Sequence, residues 1–213
     1  MKIIPIESGP VATYGYLLID SKSQKALIID VPMDCTDAVI SVLEQNSAEL
    51  ETILLTHTHW DHMVDCAALQ KETGAQVYVH PDDNYRLSDP SGHSIIKLPF
   101  PIEPVVPQKY LEHGDAIACG SVIMEVRHTP GHSEGGCCFI ETTNNVVFSG
   151  DTLFAGSIGR TDLPGGDLDL LLNSINDQLM TLQDTMKVFC GHGPVTTIGE
   201  ERANNPFLKQ KNC

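Results

Sequence analysis

Apolar and polar residues alternate in short blocks along the first third of the chain. Val11–Asp20 and Lys25–Val31 read as strands, whereas Thr36–Gln45 places Val39, Ile40 and Leu43 on one helical stripe. Glu51–Thr56 follows as a buried strand whose apolar core, Ile53-Leu54-Leu55, runs straight to Thr56 and His57. Met63–Thr73 then has a helical period and Gln76–His80 a strand-like one. Between Pro81 and Pro107 the pattern breaks, with five prolines from Pro90 onward. That stretch predicts a long surface loop with at most one helical turn near Asp82–Leu87.

The second half resumes with Asp115–Ala118, Val122–Arg127, Cys137–Thr142 and Val146–Ser149, a β-meander whose last two strands flank Asn144-Asn145, a pair that tolerates positive φ. Asp167 can cap a helix in which Leu168, Leu171, Leu172, Ile175, Leu179 and Leu182 recur at three- and four-residue steps. Lys187–Cys190 is one more short strand. Strands and helices in two such halves predict an α/β protein: two sheets packed together with helices outside, in a single domain over residues 1–213.

Composition refines this picture. The chain is 41% apolar and 19% charged, an ordinary globular balance. Its formal charge of −15 repels polyanions, and no basic patch offsets it, so no nucleic-acid partner is expected. The N-terminal run Met1–Glu7 is cut by Pro5 and lacks the apolar region of a signal peptide. No stretch approaches the ~18 to 20 apolar residues of a membrane span. Seven cysteines (Cys35, Cys66, Cys119, Cys137, Cys138, Cys190 and Cys213) are scattered without a C-x-x-C pair, which fits reduced thiols and a cytoplasmic location. Cys137 and Cys138, adjacent on a strand, should face opposite ways as ordinary strand residues. Nothing in the pattern fixes the oligomeric state.

The chemistry is concentrated in four places, each at a strand end. His57, His59, Asp61 and His62 fall within six residues. In an extended segment residues two apart share a side, so His57 and His59 can grip one metal while the following turn swings Asp61 and His62 toward a second. In His128-Thr129-Pro130-Gly131-His132, the Pro-Gly bend lets His132 project as a third ligand of the first metal, with His128 left in the strand as a structural residue. Ser149-Gly150-Asp151 presents a carboxylate able to bridge two cations. Finally His192, between Gly191 and Gly193, completes the second metal. The result is two sites, His57/His59/His132 and Asp61/His62/His192, joined by Asp151 and a bridging water. Imidazole and carboxylate donors suit zinc first, with iron or manganese as alternatives, and coordination left open marks a catalytic centre. His80, His93 and His113 receive no role.

These motifs resemble the metallo-β-lactamase superfamily, whose H-x-H-x-D-H signature is matched at His57 to His62, with the later histidine, aspartate and histidine in family order across nearly the whole chain. Within it, Thr56–His62, Leu153–Asp162 and the tail Thr197–Arg202 with Asn205-Pro206-Phe207 resemble the short bacterial glyoxalase II-like hydrolases. The resemblance implies an αβ/βα sandwich and hydrolysis of hydroxyacyl thioesters such as S-lactoylglutathione, a small-molecule substrate attacked by hydroxide held between the metals. Asp61 and Asp151 would then act as catalytic residues chiefly through the metals, because a thiol of pKa ~8.5 departs without a strong general acid. The long glyoxalase II enzymes end in an extra helical domain that holds glutathione, whereas 21 residues follow His192 in this sequence, so the resemblance does not carry an expectation of glutathione specificity. Arg160, Lys97 and Lys109 are candidate contacts for an anionic thiol, although Arg160 can equally pair with Asp162 and brace its own loop.

Gly159-Arg160-Thr161-Asp162 also resembles the persulfide dioxygenases, which on this fold would use one iron held by His57, His132 and Asp151. Trp60 and Leu163–Gly166 look more like the hydrolase. A β-lactamase proper fits less well without a signal sequence, a nuclease less well with this charge, and a binding module would leave an open metal site unused.

Overall fold

The structure, a computed structural model, describes residues 1–93 and 98–209; Lys97 and Cys213 lie outside them. The first apolar blocks pair into a six-stranded sheet that runs in chain order. Its strands are β1 (Lys2–Ser8), β2 (Thr13–Asp20), β3 (Lys25–Ile29), β4 (Glu49–Leu54), β5 (Gln76–Val79) and β6 (Lys109–Tyr110). The first three are antiparallel and the rest parallel. Parallel neighbours need crossovers. These are α1 (Thr36–Asn46), the short α2 (Trp60–Met63) with α3 (Cys66–Thr73), and a segment carrying α4 (Asn84–Ser88) and α5 (Pro90–His93).

The second sheet contains β7 (Ala116–Cys119), β8 (Val122–His128), β9 (Cys137–Glu141) and β10 (Val146–Gly150) as the meander. After the small hairpin of β11 (Leu153–Phe154) with β12 (Ser157–Ile158) and the helix α6 (Leu168–Ser174), β13 (Lys187–Cys190) joins it parallel to β10. β14 (Thr196–Thr197) and helix α7 (Ile198–Asn204) close the second half.

Period-two alternation explains the layers. Tyr16, Leu18, Leu27, Ile29 and Leu54 of the first sheet meet Met124, Val126, Cys137, Phe139 and Phe148 of the second in one shared core. Leu17, Ile19, Ile28 and Ile53 point the other way, onto Val39 and Leu43 of α1 and Leu69 of α3. Cys138, Ile140 and Val147 cover the far side with Leu171 of α6 and Ile198 of α7. The architecture is therefore helix, sheet, sheet, helix, an αβ/βα sandwich. Cys137 and Cys138 face different cores, and every cysteine among the described residues is a buried free thiol. Among the described residues no helix is long and apolar enough to cross a membrane.

Phe139 is fully buried between the sheets. Phe139→Ala should destabilise the fold by about 3–5 kcal/mol, seen as a lower urea midpoint at unchanged slope. An unmoved midpoint would contradict the packing described.

Several elements differ from the pattern reading. Residues 2–8 form a strand despite Pro5, which is tolerated because β1 is the sheet's edge. Val11 and Ala12 belong to a turn before β2, with Ala12 at φ 55°. The helix expected over Met63–Thr73 is broken at Val64-Asp65, where the Asp65 carboxylate accepts from Thr36 N and Oγ1 (3.1 and 2.9 Å) at the start of α1. The proline-rich stretch carries α5 as well as a turn near Asp83, and it buries Ile102 and Val105. The stripe of the Asp167-capped helix holds for Leu171, Ile175 and Leu179, but Leu168 in its first turn is exposed. From Ile175 to Leu179 this helix widens to a π turn.

Candidate metal centre

The four motifs meet at one edge of the sandwich, because each follows the C-terminal end of a central strand: β4, β8, β10 or β13. His57 Nε2 and His132 Nε2 lie 3.2 Å apart, and His59 Nδ1 is 2.9 Å from His132 Nε2. Donors bound to a metal at about 2.0–2.1 Å in a tetrahedron are separated by about 3.3 Å. The spacing suits a shared cation. Asp61, His62 and His192 form an adjoining group, with Asp61 Oδ2 at 3.5 Å from His62 Nε2 and 3.3 Å from His192 Nε2. Asp151 touches both, its Oδ1 at 3.3 Å from His62 Nε2 and its Oδ2 at 3.6 Å from the Nε2 atoms of His132 and His192.

The outer nitrogens decide which ring atoms face inward. His132 Nδ1 lies 2.8 Å from the Arg160 carbonyl, and His192 Nδ1 lies 3.2 Å from that of Val11. A carbonyl has no proton to give, so both rings donate from Nδ1 and keep a lone pair on Nε2. His62 Nδ1 donates to Asp30 Oδ2 at 2.8 Å. His57 Nδ1 meets Thr56 Oγ1 at 3.0 Å, and that hydroxyl itself donates to Asp30 Oδ2 at 2.7 Å. Four imidazoles are thereby held with Nε2 toward the centre, the outer hydrogen bonding by which proteins orient metal-ligating histidines. Two facing lone pairs repel unless a cation lies between them. His62 Nε2 and Asp151 Oδ1 are moreover buried without a hydrogen-bond partner. A divalent metal pair would satisfy both features, and the donor set fits it.

Charge agrees with geometry. Burial, then the neighbouring His62 and His132, pushes His57 well below the usual histidine pKa, and burial beside His132 lowers His59 to about 3. Burial also opposes a charge on His62, but Asp151, Asp61 and Asp30 outweigh it and hold its pKa well above the ordinary value. The carboxyls of Asp61 and Asp151 would be raised by burial, yet His62 above all brings both below the usual range. In the first group His57 and His59 are thus held uncharged, while in the second the ionised carboxylates of Asp61 and Asp151 face a His62 whose charge they favour.

Three supporting residues carry no sequence signal of their own. Asp30, with φ 60°, accepts from Thr56 N and Oγ1 and from His62. Fully buried Asp83 accepts from Thr58 N, Ser133 Oγ and Gly135 N, tying the His57–His59 segment to the His132 loop. Thr13 Oγ1 donates to Asp61 Oδ2 at 2.9 Å. Their partners lie far along the chain, and only the tertiary fold brings them together.

Glycines let the backbone close in. Gly131 has φ +127°, and a Cβ there would sit 2.3 Å from Leu171 N. At Gly191 a Cβ would lie 2.3 Å from Asp151 Oδ1 and 2.6 Å from His62 Cε1. Gly191→Ala should therefore displace the Asp151 carboxylate and weaken metal binding by about 10- to 100-fold in a chelator competition. Unchanged affinity would show that Asp151 does not depend on this close approach.

Other residues singled out in the sequence lie differently. Arg160 reaches the cluster through its carbonyl, while its exposed guanidinium makes a bidentate pair with Asp162 (both bonds 2.7 Å). Lys109 is on the edge strand β6, paired with Asp115 at 3.0 Å. His128 donates from Nε2 to the Glu134 carbonyl at 2.9 Å, and its ring stacks on that of His80 with 3.9 Å between centroids. His80, Asp82 and His128 bring ligand-type atoms together, but the stacked rings send their lone pairs side by side rather than to one point. Beside His59 a cavity of about 310 Å³ opens between Trp60, Met63, Tyr85, Arg86, Ile102 and Pro164.

An αβ/βα sandwich with a His/Asp cluster at one edge defines a metal-binding hydrolase class. Residues 9–192 match the metallo-beta-lactamase superfamily, and the chain belongs to that family. It is 34% identical over 210 residues to the hydroxyacylglutathione hydrolase GloC of Haemophilus influenzae, covering 97% of this chain and 99% of that one. Among solved structures it is similar to the BLEG-1 B3 metallo-beta-lactamase (TM-score 0.90, 38% identity, 98% of this chain and 100% of the other). It is also similar to ETHE1 from Myxococcus xanthus (0.81, 28%, 97% and 84%) and to TTHA1623 in a di-iron-bound form (0.78, 34%, 96% and 100%).

Proposed function

We propose that the protein is a binuclear metal-dependent thioesterase that cleaves 2-hydroxyacyl thioesters, S-lactoylglutathione among them, to hydroxy acid and thiol. The observation that carries this reading is the cluster itself: seven side chains in two adjoining groups, with the Asp151 carboxylate touching both. In this reading His57, His59 and His132 hold one cation, Asp61, His62 and His192 a second, and Asp151 lies between. Zinc suits these donors best, and iron is the natural alternative given a di-iron relative. Two such cations supply a water acidic enough to attack at neutral pH and a Lewis acid for the acyl oxygen.

The remaining work falls to the chain. Thr13 fixes one oxygen of Asp61, and Asp30 and the two carbonyls hold the rings in one tautomer. The cavity beside His59 gives the substrate a partly apolar seat away from bulk water. A departing thiolate needs no strong acid, whereas the nitrogen of a cleaved amide must be protonated as it leaves. Of the substrates opened on this fold, a thioester therefore asks least of these residues. The full-length homology to a hydroxyacylglutathione hydrolase supports the same choice.

The test is thiol release from S-lactoylglutathione by metal-loaded protein, with loss of release on chelation and its return with zinc or iron. Faster opening of a chromogenic cephalosporin than of any thioester would favour the lactamase reading. The likeness to ETHE1, together with Gly159-Arg160-Thr161-Asp162, supports persulfide oxidation as a second reading. A single iron, oxygen uptake with a persulfide and no thiol release would establish that instead.

A further inference from the structure

The cavity beside His59 contains chemistry that the metal cluster does not use. Trp60, Met63, Ile102 and Pro164 give it apolar walls, and Tyr85 closes one side with its ring edge-on to His93 (4.7 Å between centroids). Trp60 sits between His59 and Asp61 in the signature itself and leans on Phe100 at 6.2 Å. Whatever fills this space lies directly beside the reacting centre.

The cavity's one Arg or Lys among the described residues is Arg86, and its charge is already engaged. Its Nη1 donates to Asp83 Oδ1 at 3.1 Å, and its Nη2 to Glu134 Oε2 at 2.6 Å and the Pro164 carbonyl at 3.1 Å. Arg86 is itself buried, with two carboxylates against one guanidinium. Tyr85 Oη also donates to Glu134, at 3.1 and 3.3 Å to the two oxygens. The other described cations considered as anchors for an anionic thiol, Arg160 and Lys109, are paired with Asp162 and Asp115. An incoming carboxylate would meet an acidic protein of formal charge −15 with these cations occupied.

The geometry points to a cavity that takes an uncharged apolar or aromatic group of the substrate, so that the enzyme favours thioesters of neutral carriers or larger acyl groups over S-lactoylglutathione. This inference rests on the thioesterase reading and narrows it. The group can belong to the acyl side or to the thiol side; the chemistry that recognises it is the same. An apolar site distinguishes substrates by about 10-fold or more for a methylene-sized difference.

Four substrates separate the cases: lactoyl and mandeloyl thioesters of glutathione and of the uncharged thiol N-acetylcysteamine, assayed with metal-loaded full-length protein. Mandeloyl-N-acetylcysteamine should exceed S-lactoylglutathione at least ~10-fold in kcat/KM. A gain that follows the acyl group assigns the cavity to the acyl side, and one that follows the carrier assigns it to the thiol side. Trp60→Ala should bring that ratio toward one, and a ratio within one sample is unaffected by a partly folded fraction. Equal or better turnover of S-lactoylglutathione, or a ratio that Trp60→Ala leaves unchanged, overturns the inference while the thioesterase reading stands. Release from none of the four overturns both.

Discussion

Asp151→Ala should lower thioester turnover by at least ~10³-fold while leaving a folded protein, because it removes the one carboxylate that touches both donor groups. Loss of a cation that activates the nucleophile costs several kcal/mol of barrier, and about 4 kcal/mol is three orders of magnitude. The fold should survive, since Asp151 lies at the edge of the sandwich and is absent from the three apolar cores. Circular dichroism and a urea midpoint check the second half of the expectation. Turnover within 10-fold of the parent would contradict a bridging role. His59→Ala should act in the same direction through the first group alone.

The second large effect is expected at a residue that touches no reacting atom. Asp30 is buried and accepts hydrogen bonds from Thr56 N, Thr56 Oγ1 and His62 Nδ1. Asp30→Asn keeps the shape but replaces one acceptor oxygen by an NH₂ group that meets a donor. Hydrogen bonds to a buried charge contribute about 1.5–3 kcal/mol each, so the fold should lose about 3 kcal/mol or more. Released from its anchor, His62 can rotate or adopt the other tautomer, and metal affinity should fall about 10- to 100-fold. A chelator titration reads the affinity and urea unfolding the stability. If only stability changed, Asp30 would be a folding residue and not a positioning one.

What was legible in the sequence, and what was not, follows from the range of each signal. His57, His59, Asp61 and His62 stand out because their spacing is local and the strand before them is a continuous apolar run. Cys137 and Cys138 facing opposite cores is likewise a consequence of strand geometry alone. β1 escaped because an edge strand half open to solvent, with a proline inside, has neither alternation nor continuity. The helix break at Val64-Asp65 escaped because Asp65 answers to the start of α1, 29 residues away.

The same holds within the candidate site. Asp30 and Asp83 look like turn aspartates until the fold brings Thr56, His62, Ser133 and Gly135 to them. The carbonyls of Val11 and Arg160, which set two of the histidine tautomers, are atoms any residue provides. No side-chain pattern can announce them. Arg160 shows the converse: its guanidinium drew attention in the sequence, and its backbone is what reaches His132.

The most direct test of the central claim is the metal content of the purified full-length protein, loaded and dialysed, beside that of Asp151→Ala. Two divalent ions per chain are expected in the parent, and fewer in the variant. One ion or none in the parent, or a content that Asp151→Ala leaves unchanged, would contradict a binuclear centre joined by Asp151.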